Sequence, residues 1–239
     1  MSSAPLSDVS VTNARGGDAV VLLHGLGRSH RSMGRLARHL TAQGHQVVNL
    51  PYPSRRHEPD QLMNHVASEI RTHVSSDTRL HFVTHSLGGI IVRALLADDP
   101  PPNLGRTVML APPNKGSELA DLLSGRLPFS WTLGPTLPHL GTHETSFPRL
   151  LPAADFELGI IAGRGFLNPI GDAVVASPND GVVSVESTRL EGMDDFIVVN
   201  RSHTFIMQAP EVMAEVAHFL RHGCFSVSSH ETSTARPRL

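Results

Sequence analysis

The chain has 239 residues, of which 40% are hydrophobic, so it is long enough to bury the core of one globular domain without disulfides. Its 20 basic and 22 acidic residues are expected to be interspersed along the chain, with no block of one sign. The formal net charge of −2 favours neither nucleic acid nor an acidic membrane as a partner. The single cysteine, Cys224, excludes an intramolecular disulfide and a cysteine-rich metal site.

The first 18 residues are polar and lack the basic and apolar regions of a signal peptide. No apolar run approaches the ~20 residues that span a bilayer. The sequence as it stands therefore predicts a cytoplasmic protein without a transmembrane segment. Removal of a signal peptide would leave the same sequence, so secretion stays open.

Strands and helices alternate in the predicted elements of the first half. Short runs rich in valine and leucine predict buried strands at 19–23, 46–50, 80–84 and 107–110. Apolar residues three and four apart predict helices at 32–43, 61–74 and 87–97. This order predicts an α/β architecture, in which helices cover both faces of a mostly parallel central sheet.

The alternation stops between residues 113 and 152, a segment rich in proline and leucine. A loop of this length inside a domain is usually functional, and its apolar content predicts a small lid or cap. Two more strands, 157–162 and 196–199, and a helix, 207–221, complete the predicted elements. They predict one domain over residues 1–225, with the lid inserted, and a disordered tail over 226–239.

The most specific motif is VTHSLGG over residues 83–89, where a predicted strand ends and a helix begins. A sharp turn at this point exposes a serine and directs the helix N-terminus at the reacting oxygen, which makes Ser86 the candidate nucleophile. Thr84 departs from the pattern G-x-S-x-G, and an ordinary helix N-cap serine is the alternative. The heptapeptide resembles the nucleophile region of bacterial lipases and carboxylesterases of the α/β-hydrolase fold.

The segment HGLGR at 24–28 follows the first strong strand and by itself indicates a tight turn. It looks like the H-G-x-x-G segment of bacterial lipases. The resemblance implies that the backbone N–H groups of Leu26 and Leu87 form an oxyanion hole. It also implies a structural role for His24, which precedes the other candidates in the chain.

In α/β-hydrolases the acid and the histidine follow the nucleophile in that order. His203 comes directly after the predicted strand 196–199, which makes it the candidate base. Asp180 lies in SPNDGVV at 177–183, which resembles the segment with the catalytic aspartate of bacterial lipases. Asp172 is the second candidate, because the other three late aspartates are expected at the opposite end of the sheet: Asp155, Asp194 and Asp195.

The resemblance extends from about residue 19 to residue 221, and APPNKGS at 111–117 looks like the start of the lid in such lipases. Calcium-dependent members have an aspartate two residues after the histidine, where this chain has Phe205, so no structural calcium is expected. His139 and His143 are interpreted as exposed lid residues, with weak metal binding left open. No metal and no cofactor are predicted.

The resemblance implies a serine carboxylester hydrolase that uses Ser86, Asp180 and His203. Substrate contacts are expected from four apolar residues of the lid: Trp131, Leu133, Leu137 and Phe147. The expected partner is a small-molecule or lipid ester, and transient contact with a lipid interface and the oligomeric state stay open. The alternatives are a thioesterase, amidase or acyltransferase with the same residues, or a non-catalytic binding protein.

Overall fold

The computed structural model describes residues 9–12, 17–126, 132–165 and 173–226. The predictions for Trp131 and Asp172, and those for a tail beyond Ser226, concern residues outside these ranges. No helix in the described ranges is both long enough and apolar enough to cross a membrane.

A seven-stranded sheet occupies the centre of the described chain, in the order β1-β3-β2-β4-β5-β6-β7. The antiparallel edge strand β1 pairs with β3, and all the other pairings are parallel. Its strands are β1 (Ser10–Thr12), β2 (Ala19–Leu23), β3 (Gln46–Leu50), β4 (Leu80–His85), β5 (Leu104–Leu110), β6 (Leu158–Gly163) and β7 (Asp195–Val199). The carboxyl ends of β2 to β7 therefore meet at one edge of the sheet.

Helices cover both faces of the sheet, as the alternation predicts. They are α1 (Gly34–Ala42), α2 (Pro59–His73), α3 (Leu87–Asp98), α4 (Glu118–Ser124), α5 (Phe147–Leu150), α6 (Val185–Thr188) and α7 (Pro210–His222). In β2, Val20 and Leu22 pack into a cluster with residues of α1 and α7. Val21 and Leu23 pack on the opposite face with residues of α2 and α3. Successive strand side chains point to opposite faces, so each parallel strand needs apolar residues throughout.

Element boundaries differ from the predictions in a few places. Strand β1 was not predicted, because all three of its residues are exposed and it has no apolar pattern. Strand β5 begins at Leu104 rather than at residue 107, since its first part is only partly buried. Short 3₁₀ turns, His30–Met33 and Ile206–Gln208, precede α1 and α7 where continuous helices were predicted.

The predicted lid segment contains regular structure, namely α4, a 3₁₀ turn at Leu137–Leu140 and α5. The buried side chain of Arg93, in α3, donates hydrogen bonds to both ends of the segment. Its Nη1 donates to the carbonyl and to the side-chain oxygen of Asn114, at 3.2 and 3.1 Å. Its Nη2 donates to the carbonyls of Leu151 and Pro152, at 3.2 and 3.1 Å. One guanidinium therefore joins the two ends to the helix that follows Ser86.

Candidate active site

The turn between β4 and α3 holds Ser86 in a strained backbone conformation, with φ 53° and ψ −122°. A non-glycine residue with positive φ is uncommon and is a feature of functional turns. The Ser86 N–H donates to the carbonyl of Leu110 at 2.9 Å, which ties the turn to β5. A Cβ on Gly88 would lie 2.7 Å from the carbonyl oxygen of Leu23. Glycine is therefore required two residues after the serine, because helix and strand approach closely there.

The structure also explains how the turn accommodates Thr84 in place of the usual glycine. The Thr84 side chain is fully buried, and its Oγ1 lies 3.2 Å from the point where a Cβ of Gly89 would be. The same point is 3.2 Å from Pro112 Cβ and 3.3 Å from Met109 Sδ. The missing side chain of Gly89 leaves the space that the larger residue at 84 occupies.

Three side chains from different loops form a hydrogen-bonded series at the carboxyl edge of the sheet. His203 Nε2 lies 3.0 Å from Ser86 Oγ, and His203 Nδ1 lies 2.8 Å from Asp180 Oδ2. Ser86 follows β4, Asp180 lies between β6 and β7, and His203 follows β7. The parallel sheet thus places the serine, the aspartate and the histidine together, in the predicted chain order.

Asp180 is held by the turn that contains it. Its Oδ1 accepts hydrogen bonds from the N–H groups of Val182 and Val183, at 3.0 and 2.8 Å. Gly181 has a φ of 91°, which reverses the chain towards these two donors. A Cβ on Gly163, the last residue of β6, would lie 2.8 Å from Asp180 Cβ, so this glycine makes room for the aspartate. With Oδ1 occupied in this way, Oδ2 faces the imidazole.

His85, which the sequence analysis did not identify as a candidate, contacts the main chain of His203. Its Nε2 donates to the carbonyl of His203 at 2.9 Å, and the two rings are 4.8 Å apart. Burial, together with the neighbouring His203, holds the pKa of His85 well below its usual value, so the ring is neutral. Its Nδ1 has no hydrogen-bond partner among the described residues. Its place next to Ser86 in a buried strand is the sequence signal that could have indicated this role.

The turn after β2 packs against the turn at Ser86. A Cβ on Gly25 would lie 3.1 Å from Ser86 Cβ, so only glycine permits this approach. His24 is buried, stacks on Tyr52 with ring centres 4.2 Å apart, and donates from Nδ1 to the Gly25 carbonyl at 2.9 Å. Burial lowers the pKa of His24 to about 4, so this ring is neutral at pH 7.

A cavity of about 490 Å³ opens beside Ser86 and His203. Leu26 lines it, and Leu87 is the first, buried residue of α3. The rest of the lining is mainly apolar and includes Pro113, Ala120, Leu123, Leu133, Leu137 and Leu140. Of the four predicted substrate contacts, Leu133 and Leu137 line the cavity. Phe147 packs instead against the hydrophobic cluster on that face of the sheet, and Trp131 lies outside the described residues.

Within the described ranges, no group of three or more histidine, cysteine or acidic side chains is arranged to hold a metal ion. The two histidines of the predicted lid face separate carboxylates, His139 towards Glu58 at 2.8 Å and His143 towards Asp121 at 3.7 Å. Phe205, which stands where calcium-dependent bacterial lipases have an aspartate, is about half exposed. This edge of the sheet offers a serine hydroxyl, an imidazole and a carboxylate beside a mainly apolar cavity.

Solved structures with this fold include several hydrolases. A lipase from Bacillus licheniformis, in its mature form, has a TM-score of 0.67 and 18% identity, over 91% of this chain and 96% of that one. A carboxyl esterase of metagenomic origin has a TM-score of 0.61 and 19% identity, over 85% and 70%. A type II thioesterase from a yersiniabactin biosynthetic pathway has a TM-score of 0.54 and 16% identity, over 87% and 94%.

At these identities the likeness shows a shared fold, and it confirms the predicted fold class. A comparison of the sequence with curated proteins finds no match. The model of the α/β-hydrolase family matches residues 20–216, which include all the strands from β3 to β7. The chain therefore belongs to the α/β-hydrolase family.

Proposed function

We propose that this protein is a serine hydrolase that cleaves carboxylic esters through an acyl-enzyme on Ser86. The observation that carries the proposal is the series from Ser86 Oγ through His203 to Asp180, with distances of 3.0 and 2.8 Å. A serine is a weak nucleophile unless a base takes its proton, and a carboxylate behind the imidazole sets its tautomer and stabilises the imidazolium.

In the proposed reaction, His203 Nε2 takes the proton of Ser86 as Oγ attacks the ester carbonyl carbon. The N–H groups of Leu26 and Leu87 stabilise the oxyanion that forms. His203 then gives its proton to the leaving alcohol, and the acyl group stays on Oγ. A water molecule, deprotonated by His203, attacks the acyl-enzyme and releases the carboxylic acid and the free serine.

The cavity supports an apolar acyl group as substrate. Leu133, Leu137 and Leu140 line it, and the described lining residues include no carboxylate. The structural neighbours include a lipase and a carboxyl esterase, which agrees with ester hydrolysis. We also propose that residues 113–152 act as the lid over this cavity within a single domain, since Arg93 anchors both ends.

Covalent labelling and turnover test the proposal together. The folded protein should react with a fluorophosphonate at Ser86 and should hydrolyse p-nitrophenyl esters. Ser86→Ala should abolish labelling and should lower kcat by roughly 10⁶-fold, the effect known for loss of a triad serine. Ser68→Ala, which changes an exposed serine of α2, is the matched control and should keep full activity.

A folded wild-type protein that neither labels nor turns over any ester would contradict the proposal. Rates with the thioester and the amide of the same acyl group distinguish an esterase from a thioesterase or amidase. Product analysis with added alcohol distinguishes hydrolysis from acyl transfer, because water and the alcohol compete for one acyl-enzyme.

A further inference from the structure

The basic residues are distributed unevenly along the chain. Residues 19–57 contain none of the 22 acidic residues but contain six arginines: Arg28, Arg31, Arg35, Arg38, Arg55 and Arg56. The expectation that charges of both signs are interspersed is wrong for this segment. The whole chain has a formal net charge of only −2, but residues 19–57 form a strongly cationic segment.

The fold brings three of these arginines to the edge of the sheet that carries Ser86. Strands β2 and β3 are parallel neighbours, so the turns that follow them lie at the same edge of the sheet. The Gly27 N–H donates to Ser54 Oγ at 3.2 Å, which joins the two turns. Arg28 lies in the first turn, and Arg55 and Arg56 lie in the second.

These turns enclose a cleft of about 230 Å³ with a cationic lining. No acidic residue lines it, and its ionisable side chains other than Tyr52 are His24, Arg28, His30, Arg55 and Arg56. In the part of the chain that the structure describes, the arginines in ion pairs are others: Arg79, Arg106, Arg189 and Arg201. The guanidinium groups of the cleft therefore keep most of their N–H donors available for an anion.

The cleft adjoins the candidate active site. Arg28 lines both this cleft and the cavity beside Ser86, and its Nη2 donates to the carbonyl of Thr204 at 3.0 Å. Thr204 is the residue after His203. Arg55 Cδ lies 4.0 Å from the point where a Cβ of Gly27 would be, so its side chain runs along the turn next to Leu26. A ligand that reaches Ser86 can therefore extend into the cationic cleft.

We propose that this cleft binds a phosphate group in the alcohol or thiol part of the acyl substrate. Guanidinium groups bind phosphate through paired, charge-assisted hydrogen bonds, and a cleft without carboxylates offers an anion no repulsion. The inference rests on the proposed function: Ser86 Oγ takes the acyl group, and the phosphorylated alcohol or thiol leaves with the proton from His203. The substrate class is thus an acyl ester or thioester of a phosphorylated carrier.

Two double variants test the cleft with the same change in charge. Arg55→Gln/Arg56→Gln removes two cations from the cleft. Arg35→Gln/Arg38→Gln removes two exposed cations of α1 that line a different depression, and it is the matched control. All four side chains are exposed, so both variants should fold as the wild type does.

Two pairs of substrates separate the possible sources of the phosphate. Octanoyl-coenzyme A is compared with octanoyl-N-acetylcysteamine, and 1-octanoyl-lysophosphatidic acid with 1-octanoylglycerol. For at least one pair, Arg55→Gln/Arg56→Gln should lower the ratio of kcat/KM, phosphorylated to neutral, by about tenfold or more, chiefly through KM. The α1 variant should leave that ratio within about twofold, since exposed charges outside the cleft are screened. An unchanged ratio in both pairs, or an equal loss in the α1 variant, would overturn the proposal.

A binding measurement separates this inference from the proposed function. Calorimetry on Ser86→Ala protein, with coenzyme A and with inorganic pyrophosphate as probes, needs no turnover. Binding that weakens about tenfold or more in the Arg55→Gln/Arg56→Gln background supports the cleft even if no ester is hydrolysed. If neither probe binds, although the wild-type protein hydrolyses esters, the proposal that the cleft binds phosphate is overturned and the hydrolase proposal stands.

Discussion

At the scale of single residues, His203 is restrained through both its ring and its main chain. Asp180 Oδ2 lies 2.8 Å from Nδ1, and the His203 N–H donates to the Asp180 carbonyl at 3.0 Å. His85 donates to the carbonyl of His203 on the other side. This arrangement directs Nε2 at Ser86. A displacement of the imidazole by about 1 Å can lower the reaction rate by about 10²-fold.

Asp180→Asn should lower kcat for a p-nitrophenyl ester by about 10³–10⁴-fold. The amide would favour the tautomer with the proton on Nε2, which can no longer accept the serine proton. Steady-state kinetics checks this, with far-UV circular dichroism as evidence of folding. Asp155→Asn, at an exposed aspartate, is the control and should keep wild-type rates. If the two variants were equally active, Asp180 would not be the acid.

His85→Phe should lower kcat about tenfold with a smaller change in KM, since the main chain of His203 loses its donor. The free energy of unfolding should fall by about 1–3 kcal/mol, because a buried carbonyl loses a partner. His85→Gln places an amide donor near the same carbonyl and should restore part of kcat. Wild-type kcat in His85→Phe would show that His85 only fills space.

At the scale of elements, the close approach of α3 to the sheet determines the shape of the nucleophile turn. Gly88 approaches the end of β2, and Gly89 leaves room for Thr84 of β4. The Thr84 hydroxyl is buried without a hydrogen-bond partner among the described residues. The same helix carries Arg93 on its buried side, so it connects the serine turn with both ends of the predicted lid.

Arg93→Met should lower the free energy of unfolding by about 1–3 kcal/mol, because the buried carbonyl of Asn114 and the more exposed carbonyls of Leu151 and Pro152 lose their donor. It should also speed proteolytic cleavage within residues 113–152, since the two ends are no longer joined. Urea unfolding and limited proteolysis measure the two effects. Arg126→Met, at an exposed arginine just after α4, should change neither. Equal cleavage rates in Arg93→Met and wild type would contradict the role as an anchor.

At the scale of the whole molecule, several buried histidines tie stability to pH. Burial lowers the pKa values of His24, His81 and His85. In the unfolded chain these groups take up protons below their ordinary pKa of 6.5. The folded protein resists the same protonation, so the unfolded state binds more protons as the pH falls, and stability decreases.

The free energy of unfolding should therefore be highest above pH 6.5 and should fall as the pH drops to about 4, the pKa of folded His24. His24 alone accounts for about 3 kcal/mol of this fall. In His24→Gln the loss between pH 7 and pH 4 should be smaller by about this amount. Urea titrations across the pH range measure it. Parallel curves for variant and wild type would contradict the role of His24.

The order of elements could be predicted from the sequence because buried parallel strands need continuous apolar runs, and helices need apolar residues with a period of about 3.6. Five of the seven strands begin within one residue of the predicted positions. Strand β1 has no such pattern, because its residues are all exposed, and β5 extends into a partly buried stretch. Ser86 could be named because it lies at a turn between a strand and a helix. Asp180 and His203 could be named because the resemblance to bacterial lipases implies an acid and a histidine after the late strands, in that order.

The sequence by itself therefore determined the α/β order of elements, the family to which it points and the candidates for the reaction. Only the tertiary structure decided which distant residues meet. It placed Asp180 beside His203, brought His85 to the main-chain carbonyl of His203, and joined the turns of β2 and β3 into a cationic cleft. The physical reason is that local patterns report burial along one element, whereas parallel pairing and register bring together loops that are far apart in the chain.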